Sequence, residues 1–270
     1  MRVCDLIKPL SGSLVLMSLT ACATAPTGEE IAYEREVRER ELVPASQEAR
    51  EKIALQDPMT QATFWGIEYE KSPADIEAAT EFAKALRLIG SEKRASEVAA
   101  QTLALAPDNI ELLGIYGKSL LASGNPTGAV DILRRAYNLN SKDVSLLGAL
   151  GVAYDQTGRH REAQTTYREV LTYAPENTAT LSNLGLSLAL TGEPEQAETL
   201  LRRATQLPEA GARERQNLAM VLSLQGKFDE AREVGAADLP DKQVDQNIDY
   251  FRAMLTPQSR RYGALRGTTN

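Results

Sequence analysis

Residues 144–177 read VSLLGALGVAYDQTGRHREAQTTYREVLTYAPEN, and they have the pattern of two helices joined at Gly158. Apolar and small residues recur at spacings of three and four on both sides of this glycine, which places them on one face of each helix. They are Leu147, Leu150, Gly151 and Tyr154 before the turn, and Ala163, Tyr167 and Val170 after it. Pro175 then ends the second helix, because proline cannot continue one. The stretch predicts a helical hairpin.

The hairpin recurs along the chain with a period of 34 residues. The turn glycines of the successive copies are Gly90, Gly124, Gly158, Gly192 and Gly226. Seven residues before each glycine is a small residue, namely Ala83, Gly117, Gly151, Gly185 and Ala219. Five residues after each glycine is an alanine, namely Ala95, Ala129, Ala163, Ala197 and Ala231. Glycine ends a helix without strain, and we expect the small residue and the alanine to face each other where the two helices approach most closely.

These three columns resemble the tetratricopeptide repeat (TPR), a 34-residue helix–turn–helix unit, rather than an ordinary bundle with accidental periodicity. The resemblance implies an all-α fold, a right-handed solenoid of about five helical hairpins with a C-terminal capping helix. Stacking buries the apolar faces that one hairpin cannot bury alone. We assign an N-terminal helical region or half repeat to 45–75, and the capping helix to 244–256. The five repeats, within 76–243, are 76–109, 110–143, 144–177, 178–211 and 212–243.

The fifth repeat departs from the pattern at two positions. Arg215 stands where three earlier repeats have leucine. Gly235 stands where repeats two to four have Leu133, Tyr167 and Leu201. Terminal repeats are often atypical because one side faces solvent. On the capping helix, we expect one side to pack on the stack through Ile248, Phe251 and Leu255.

The first 22 residues resemble a bacterial lipoprotein leader. The apolar run at 10–19 is shorter than the about 20 residues that a membrane-spanning helix needs, and it has the length of a secretory signal core. The following residues, Leu19-Thr20-Ala21-Cys22, look like a lipobox. That resemblance implies that 1–21 is removed as a signal peptide and that Cys22 is acylated. The alternative is an ordinary secretory signal with an incidental cysteine.

By the same resemblance, Ala23 favours the outer membrane, since lipoproteins kept in the inner membrane have aspartate after the cysteine. We therefore expect a lipid-anchored protein on the periplasmic face of the outer membrane. Several acyl chains would make the anchor permanent, because each buried methylene contributes about 0.8 kcal/mol. Residues 22–44 would form the lipidated cysteine and a charged tether, and 257–270 a disordered tail.

The sequence contains little that could carry out catalysis. A net charge of −7 gives no general attraction to nucleic acid. The two cysteines, Cys4 and Cys22, lie near the N-terminus, and the only histidine, His160, lies in a turn where we expect it to be solvated. There is no phosphate-binding loop, nucleophile motif or metal-ligand spacing, and acidic pairs such as Glu195 and Glu198 fit a solvated helix face. We predict no enzymatic activity, cofactor, metal or small-molecule substrate.

TPR geometry implies that positions 2, 5, 9, 12 and 13 of each repeat face the concave side. In the first two repeats these positions include the cations Lys84, Arg87 and Lys118, which would form a basic entrance. In the last three they include Val152, Leu186, Leu190, Met220 and Leu224, which would form an apolar groove. Such a groove suits a helix or an extended peptide of a partner protein. For Leu190 and Leu224 the alternative is partial burial between neighbouring repeats.

Residues 215–255 narrow the resemblance further. Arg215-Gln216-Asn217-Leu218-Ala219, Asp238-Leu239-Pro240 and Asn247 are among the residues that look like the C-terminal signature of TadD-type lipoproteins, which serve tight-adherence (Flp) pilus assembly. The resemblance implies a pilotin-like adaptor that binds the pilus secretin, or another Tad/Flp assembly component, in its groove. The alternative is a TPR lipoprotein that recruits peptidoglycan hydrolases or synthases. The groove sequence does not separate the two.

Overall fold

The computed structural model describes Gly28 and residues 43–140 and 142–255. The chain divides into two units between Pro44 and Ala45, and thirteen α-helices lie in the second unit, between Gln47 and Leu255. The described residues contain no β-strand. The predicted signal peptide, Cys22, the tether up to residue 42 apart from Gly28, and the tail at 257–270 lie outside the described residues.

The helices follow the predicted repeats. An N-terminal pair, α1 (Gln47–Ile53) and α2 (Pro58–Lys71), precedes five hairpins. The hairpins are α3 (Ile76–Leu88) with α4 (Glu92–Leu103), α5 (Ile110–Ala122) with α6 (Pro126–Leu139), α7 (Val144–Gln156) with α8 (His160–Tyr173), α9 (Thr178–Leu190) with α10 (Pro194–Thr205), and α11 (Ala212–Leu224) with α12 (Phe228–Gly235). The last helix is α13 (Asp241–Leu255). Each first helix packs on its own second helix and on the first helix of the next hairpin, and α13 continues that row after α11. The predicted all-α stack of hairpins is confirmed.

The five turn glycines end the first helices as predicted. Their φ angles lie between 75° and 87°, in the left-handed region that costs other residues free energy. The N–H of the residue after each glycine bonds to the carbonyl five residues earlier, as from Arg159 to Tyr154 at 2.8 Å. This hydrogen bond around a left-handed glycine is typical of a Schellman motif, which reverses the chain between the two helices of each hairpin.

A fourth column, which the sequence analysis missed, begins the first helices. Four N-cap residues are spaced by 34 residues, and the side chain of each accepts a backbone N–H from the first turn: Asp75, Asn109, Asp143 and Asn177. The fifth position holds Gly211, which has no side chain to accept a hydrogen bond. There Glu214 reaches back instead, and its carboxylate accepts the N–H of Gly211 at 3.0 Å.

In the middle repeats the small residue of the first helix faces a large side chain sixteen positions on. A Cβ atom added to Gly117 would lie 2.5 Å from Leu133 Cγ, and one added to Gly185 would lie 2.8 Å from Leu201 Cγ. The alanines that follow the turn glycines are also buried. Beside Gly185, however, it is the backbone oxygen of Ala197 that lies 3.2 Å from the added Cβ atom. The expectation that the small residue and the alanine face each other is therefore only partly right, because the large side chain fills most of the contact.

The two ends of the stack are closed differently. At the N-terminal end α2 packs on α3, and Trp65 of α2 is buried at 3% exposure. At the C-terminal end Val244 and Ile248 of α13 are buried, whereas Leu255 is 49% exposed. The expected role of Leu255 in packing was wrong. Arg252 lies over the ring of Phe228, the first residue of α12, so the last residues of α13 run past the end of that short helix.

Candidate partner-binding face

The predicted groove residues lie on the first helices of repeats three to five, and we call this the first-helix face. Leu190 is 71% exposed at the end of α9. The other four groove residues, which are half-buried, are Val152, Leu186, Met220 and Leu224. Val152 and Met220 contact the main hydrophobic core. Partial burial between repeats therefore describes Leu224 but not Leu190, which faces solvent.

Small residues at position 5 lie between these apolar side chains. A Cβ atom added to Gly148 would meet nothing within 4 Å, so space lies open beside α7. The equivalent Ser182 is buried, and its hydroxyl accepts a hydrogen bond from Asn217 at 2.9 Å. On the first-helix face, small residues at position 5 therefore lie between the larger apolar side chains.

The three cations of the predicted basic entrance are present, but acidic residues accompany two of them. Lys84 pairs with Glu81 at 2.6 Å and with Glu111 at 2.5 Å. Arg87 pairs with Glu92 at 3.1 Å. Such pairing offsets the positive charge that the sequence analysis assigned to this end of the face. Glu81 and Glu92 lie outside the five repeat positions assigned to the concave side, whereas Glu111 occupies position 2 of the second repeat.

Lys118, the third cation, has different surroundings. Its ammonium donates a hydrogen bond to the Ser145 hydroxyl at 2.7 Å on the next first helix. Burial lowers the pKa of Lys118, the nearby positive charge of Arg87 lowers it further, and Asp143 acts in the opposite direction. Lys118 therefore links α5 to α7 as part of the stack.

A polar side-chain contact joins each neighbouring pair of first helices from α3 to α11. The four contacts are Lys84 with Glu111, Lys118 with Ser145, Asp155 with Ser187, and Ser182 with Asn217. Hydrogen bonds are directional, so these contacts restrict how far one first helix can slide along the next. They fix the spacing of the apolar side chains on the face.

His160 is not solvated as expected, because it belongs to a polar cluster around Asp155. His160 Nδ1 lies 2.8 Å from Asp155 Oδ1, and the Ser187 hydroxyl donates to the same oxygen at 2.7 Å. Burial raises the pKa of Tyr167, and the charge of Asp155 beside it raises that pKa further. Ser187 and His160 both bond to the carboxylate and not to each other. The arrangement therefore provides no base for a serine nucleophile, and it joins repeat three to repeat four.

Glu198 on α10 is held by one residue of its own helix and by two residues of the following hairpin. Its carboxylate accepts hydrogen bonds from Lys227 at 2.7 Å, Arg202 at 2.8 Å and Gln225 at 2.9 Å. Burial alone would raise the pKa of Glu198, but these hydrogen bonds outweigh burial and lower it to about 2. The expectation of a solvated acid holds for Glu195. It was wrong for Glu198, whose side chain is 12% exposed.

Arg215, which replaces leucine in the fifth repeat, forms an ion pair with Asp238, 23 residues further along the chain. Its guanidinium donates two hydrogen bonds to Asp238, at 2.7 Å and 2.5 Å. These hydrogen bonds lower the pKa of Asp238. The pair connects α11 to the segment between α12 and α13, so both residues, taken above from the TadD-like signature, have a structural role.

Metal ligands and membrane spans can be judged over the part of the chain that the structure describes. Over those residues, no group of three or more histidine, cysteine, aspartate or glutamate side chains is placed to hold a metal ion. None of the helices described there is long and apolar enough to cross a membrane.

Comparison with known families finds tetratricopeptide repeats in this chain. One sequence profile described as a tetratricopeptide repeat matches residues 120–179, and a second matches 178–203 and 217–234. A search of the curated proteins gave no match. The repeats agree with the hairpins described above, so the chain contains TPR units.

Solved structures with the same fold include MamA from Desulfovibrio magneticus RS-1, residues 41 to the end, with 15% identity and a TM-score of 0.54 over 63% of this chain and 95% of that one. Another MamA structure is 20% identical with a TM-score of 0.54, and covers 61% of this chain and 95% of that one. TTC0263, a thermophilic TPR protein of Thermus thermophilus, is 18% identical with a TM-score of 0.52, over 63% and 92%. These likenesses establish a TPR solenoid, and the fold indicates a protein–protein interaction scaffold.

Proposed function

We propose that this protein is a lipid-anchored TPR adaptor that holds a partner protein on the first-helix face of repeats three to five. The observation that carries the proposal is Leu190, which is 71% exposed beside the half-buried Leu186 and Leu224. An exposed leucine contributes little to the stability of the protein alone. Burying it against a partner would contribute about 1.5–3 kcal/mol.

Repeats three to five suit this role better than the first two. Lys84 and Arg87 already pair with acids of their own chain, so a ligand would have to replace those contacts. The apolar face needs no such replacement. Its client would be an amphipathic helix or an extended segment with apolar side chains.

We further propose that the adaptor serves tight-adherence pilus assembly in a pilotin-like role, with the secretin as its client. Two sequence features support this proposal. The lipobox-like Leu19-Thr20-Ala21-Cys22 would supply an acyl anchor at the outer membrane, and the segment 215–255 resembles TadD-type proteins. Such an anchor would bring a bound secretin subunit to the membrane in which it assembles. No catalytic step is assigned to the chain.

The proposal is tested with Leu190→Glu in the full-length protein, compared with Leu105→Glu. Leu105 is also well exposed, at 58%, but it lies in the turn after α4 and away from the first-helix face. Both variants should keep the wild-type circular dichroism and melting temperature, because an exposed side chain is replaced. Capture of purified secretin should fall at least tenfold for Leu190→Glu only. Equal capture by both variants would contradict this assignment of the face.

Affinity purification from envelope membranes separates secretin from the alternative clients. Recovery of secretin supports the pilotin-like role, whereas recovery of peptidoglycan hydrolases or synthases supports the other scaffold role. The anchor is tested separately with Cys22→Ala, which should abolish palmitate labelling. Persistent labelling of that variant would show that Cys22 is not the acylated residue.

A further inference from the structure

A cavity of about 290 Å³ lies between α11, α12 and α13, at the C-terminal end of the stack. It borders Gly235, the position at which repeats two to four carry Leu133, Tyr167 and Leu201. Each of these three side chains is at most 1% exposed. In the fifth repeat Gly235 supplies no such side chain, and Val244 of α13 lies beside it at one wall of the cavity.

The small residues at the contact between α11 and α12 explain why these two helices do not fill the cavity. A Cβ atom added to Gly235 would lie 3.9 Å from the Ala219 Cβ and 3.4 Å from the nearest Val244 methyl, which are ordinary contact distances. A helix pair closed by Ala219 and Gly235 therefore brings no long side chain into the gap. A smaller cavity, of about 150 Å³, can bind benzene when it is apolar. The present volume accommodates a leucine or tyrosine side chain.

The walls define the chemistry of the occupant. Five large apolar side chains line the cavity: Met220, Leu239, Val244, Ile248 and Phe251. None of the lining residues is charged, and the polar groups among them include the amides of Gln216 and Asn247. A charged group would lose its hydration there without a counter-ion. The cavity therefore suits an uncharged, apolar side chain whose adjacent peptide groups can bond to the amides.

The position of the cavity links it to the first-helix face. Gln216, Met220 and Ser223 occupy positions 5, 9 and 12 of the fifth repeat, and all three line the cavity. The same repeat positions carry Leu186 and Lys118 in earlier repeats. A partner segment on the face would thus run past the cavity at its C-terminal end.

We propose that this cavity is an anchor site that takes one leucine- or tyrosine-sized side chain from the partner protein. The size of the occupant is inferred from the volume of about 290 Å³, and its apolar character from walls that carry no charged residue. The inference rests on the proposed function, in that the side chain belongs to a partner held on the first-helix face. Gly235 then distinguishes the binding repeat from repeats two to four, which carry a large side chain at that position.

The direct test uses p-cresol, the side chain of tyrosine, as the probe. Full-length protein labelled with ¹³C at the methionine methyls is titrated, and the Met220 signal is followed by NMR. The Met220 methyl should shift saturably, while Met59, which is 61% exposed at the other end of the stack, should not. Gly235→Leu, which fills the cavity from within, should abolish the shift, and Gly235→Ala should largely retain it.

Val244→Phe fills the cavity from the opposite wall and replaces Gly235→Leu if that variant does not give a wild-type circular dichroism spectrum. An unshifted Met220 signal overturns the inference, as does an equal shift in a folded, cavity-filled variant. The chain also contains Tyr262 and Leu265 after α13. If a chain ending at Leu255 binds p-cresol and the full chain does not, its own C-terminal residues are the occupant, and the inference is again overturned.

Capture of purified secretin then distinguishes the two proposals. Gly235→Leu should weaken capture by about ten- to a hundredfold. If Leu190→Glu abolishes capture and Gly235→Leu leaves it unchanged, the anchor inference fails and the proposed function stands. If Leu190→Glu has no effect, the proposed function fails, while the p-cresol titration still reports whether the cavity takes a tyrosine side chain.

Discussion

Repeats two to four and repeat five bring the same two positions together, sixteen residues apart, but fill them differently. In the middle repeats a glycine meets a large side chain, as Gly151 meets Tyr167. In the fifth repeat Ala219 meets Gly235, and a cavity remains beside them. The difference teaches that a repeat can keep its helix–turn–helix reversal without the large side chain that fills the contact in the middle repeats. A side chain from another molecule can enter where this large side chain is missing.

The fifth repeat has ion pairs in addition to its buried apolar residues Leu218, Val221 and Leu222. Arg215 pairs with Asp238, Lys227 pairs with Glu198, and Arg232 pairs with Asp245. Its first helix lacks the aspartate or asparagine cap of the earlier repeats and uses Glu214 instead. Since neighbouring repeats in a solenoid couple mainly to each other, we expect repeat five to open locally before the middle repeats do.

The largest expected effect comes from making a middle repeat resemble the fifth. Tyr167→Ala removes a ring that is 1% exposed and leaves an unfilled cavity against Gly151. The free energy of unfolding should fall by about 3–5 kcal/mol, as for other buried aromatic residues. Urea unfolding followed by circular dichroism measures it. A loss below about 1 kcal/mol would mean that this contact is not what distinguishes the middle repeats.

The next largest effect comes from overpacking the same hairpin. Ala163 is fully buried at the helix contact, so Ala163→Trp should cost about 1–3 kcal/mol or prevent folding. Glu195→Gln, on an exposed face, is the matched control and should leave the melting temperature unchanged. If both variants melt at the wild-type temperature, the assigned repeat register is wrong.

A smaller loss of stability is expected at the helix caps, and it should differ between the middle repeats and the fifth repeat. Asp143→Ala removes the side chain that accepts the N–H of Leu146 at 3.0 Å and should cost about 1 kcal/mol. Gly211→Ala, at the equivalent cap of the fifth repeat, should cost only a few tenths of a kcal/mol if Glu214 still accepts the backbone N–H. Equal losses in thermal unfolding would show that Glu214 does not take over the capping role.

The effect of pH on the last repeats should be weaker still, and Glu198 is the carboxylate that tests it. Because the pKa of Glu198 is lowered from 4.5 to about 2, its contribution to stability is fully present above pH 4.5. It is lost as the pH falls toward about 2. Hydrogen exchange of α10 to α12 at pH 5 and pH 3 should show this loss in the wild-type protein and a smaller one in Glu198→Gln. The same loss in both proteins would exclude Glu198 as its source.

Local sequence rules were enough to predict the repeats. Gly158 and its equivalents end helices because left-handed backbone favours glycine. The 34-residue period then gives the position of every hairpin. The cap column at Asp143 was equally visible, since it has the same period, and it was missed because only three columns were compared. The break at Gly235 was noticed, but the cavity was not, because the opposite wall comes from α13.

Long-range polar pairs could not be predicted from the periodicity. Arg215 looks like a degenerate position in the sequence, and its partner Asp238 lies 23 residues away, in the segment between α12 and α13. Glu198 looked like a surface acid because its own helix leaves it exposed, and it is covered by the following hairpin. Such contacts depend on how one repeat packs on the next, which residue spacing within a helix does not encode.

The central claim, that a partner binds the first-helix face of repeats three to five, is tested most directly by photo-crosslinking in cells. The photoreactive residue p-benzoylphenylalanine is placed at Leu190 on that face, or at Leu139, which is 44% exposed at the end of a second helix. We predict a crosslinked adduct with secretin from position 190 and none from position 139. An adduct from 139 alone, or equal yields from both positions, would contradict the account.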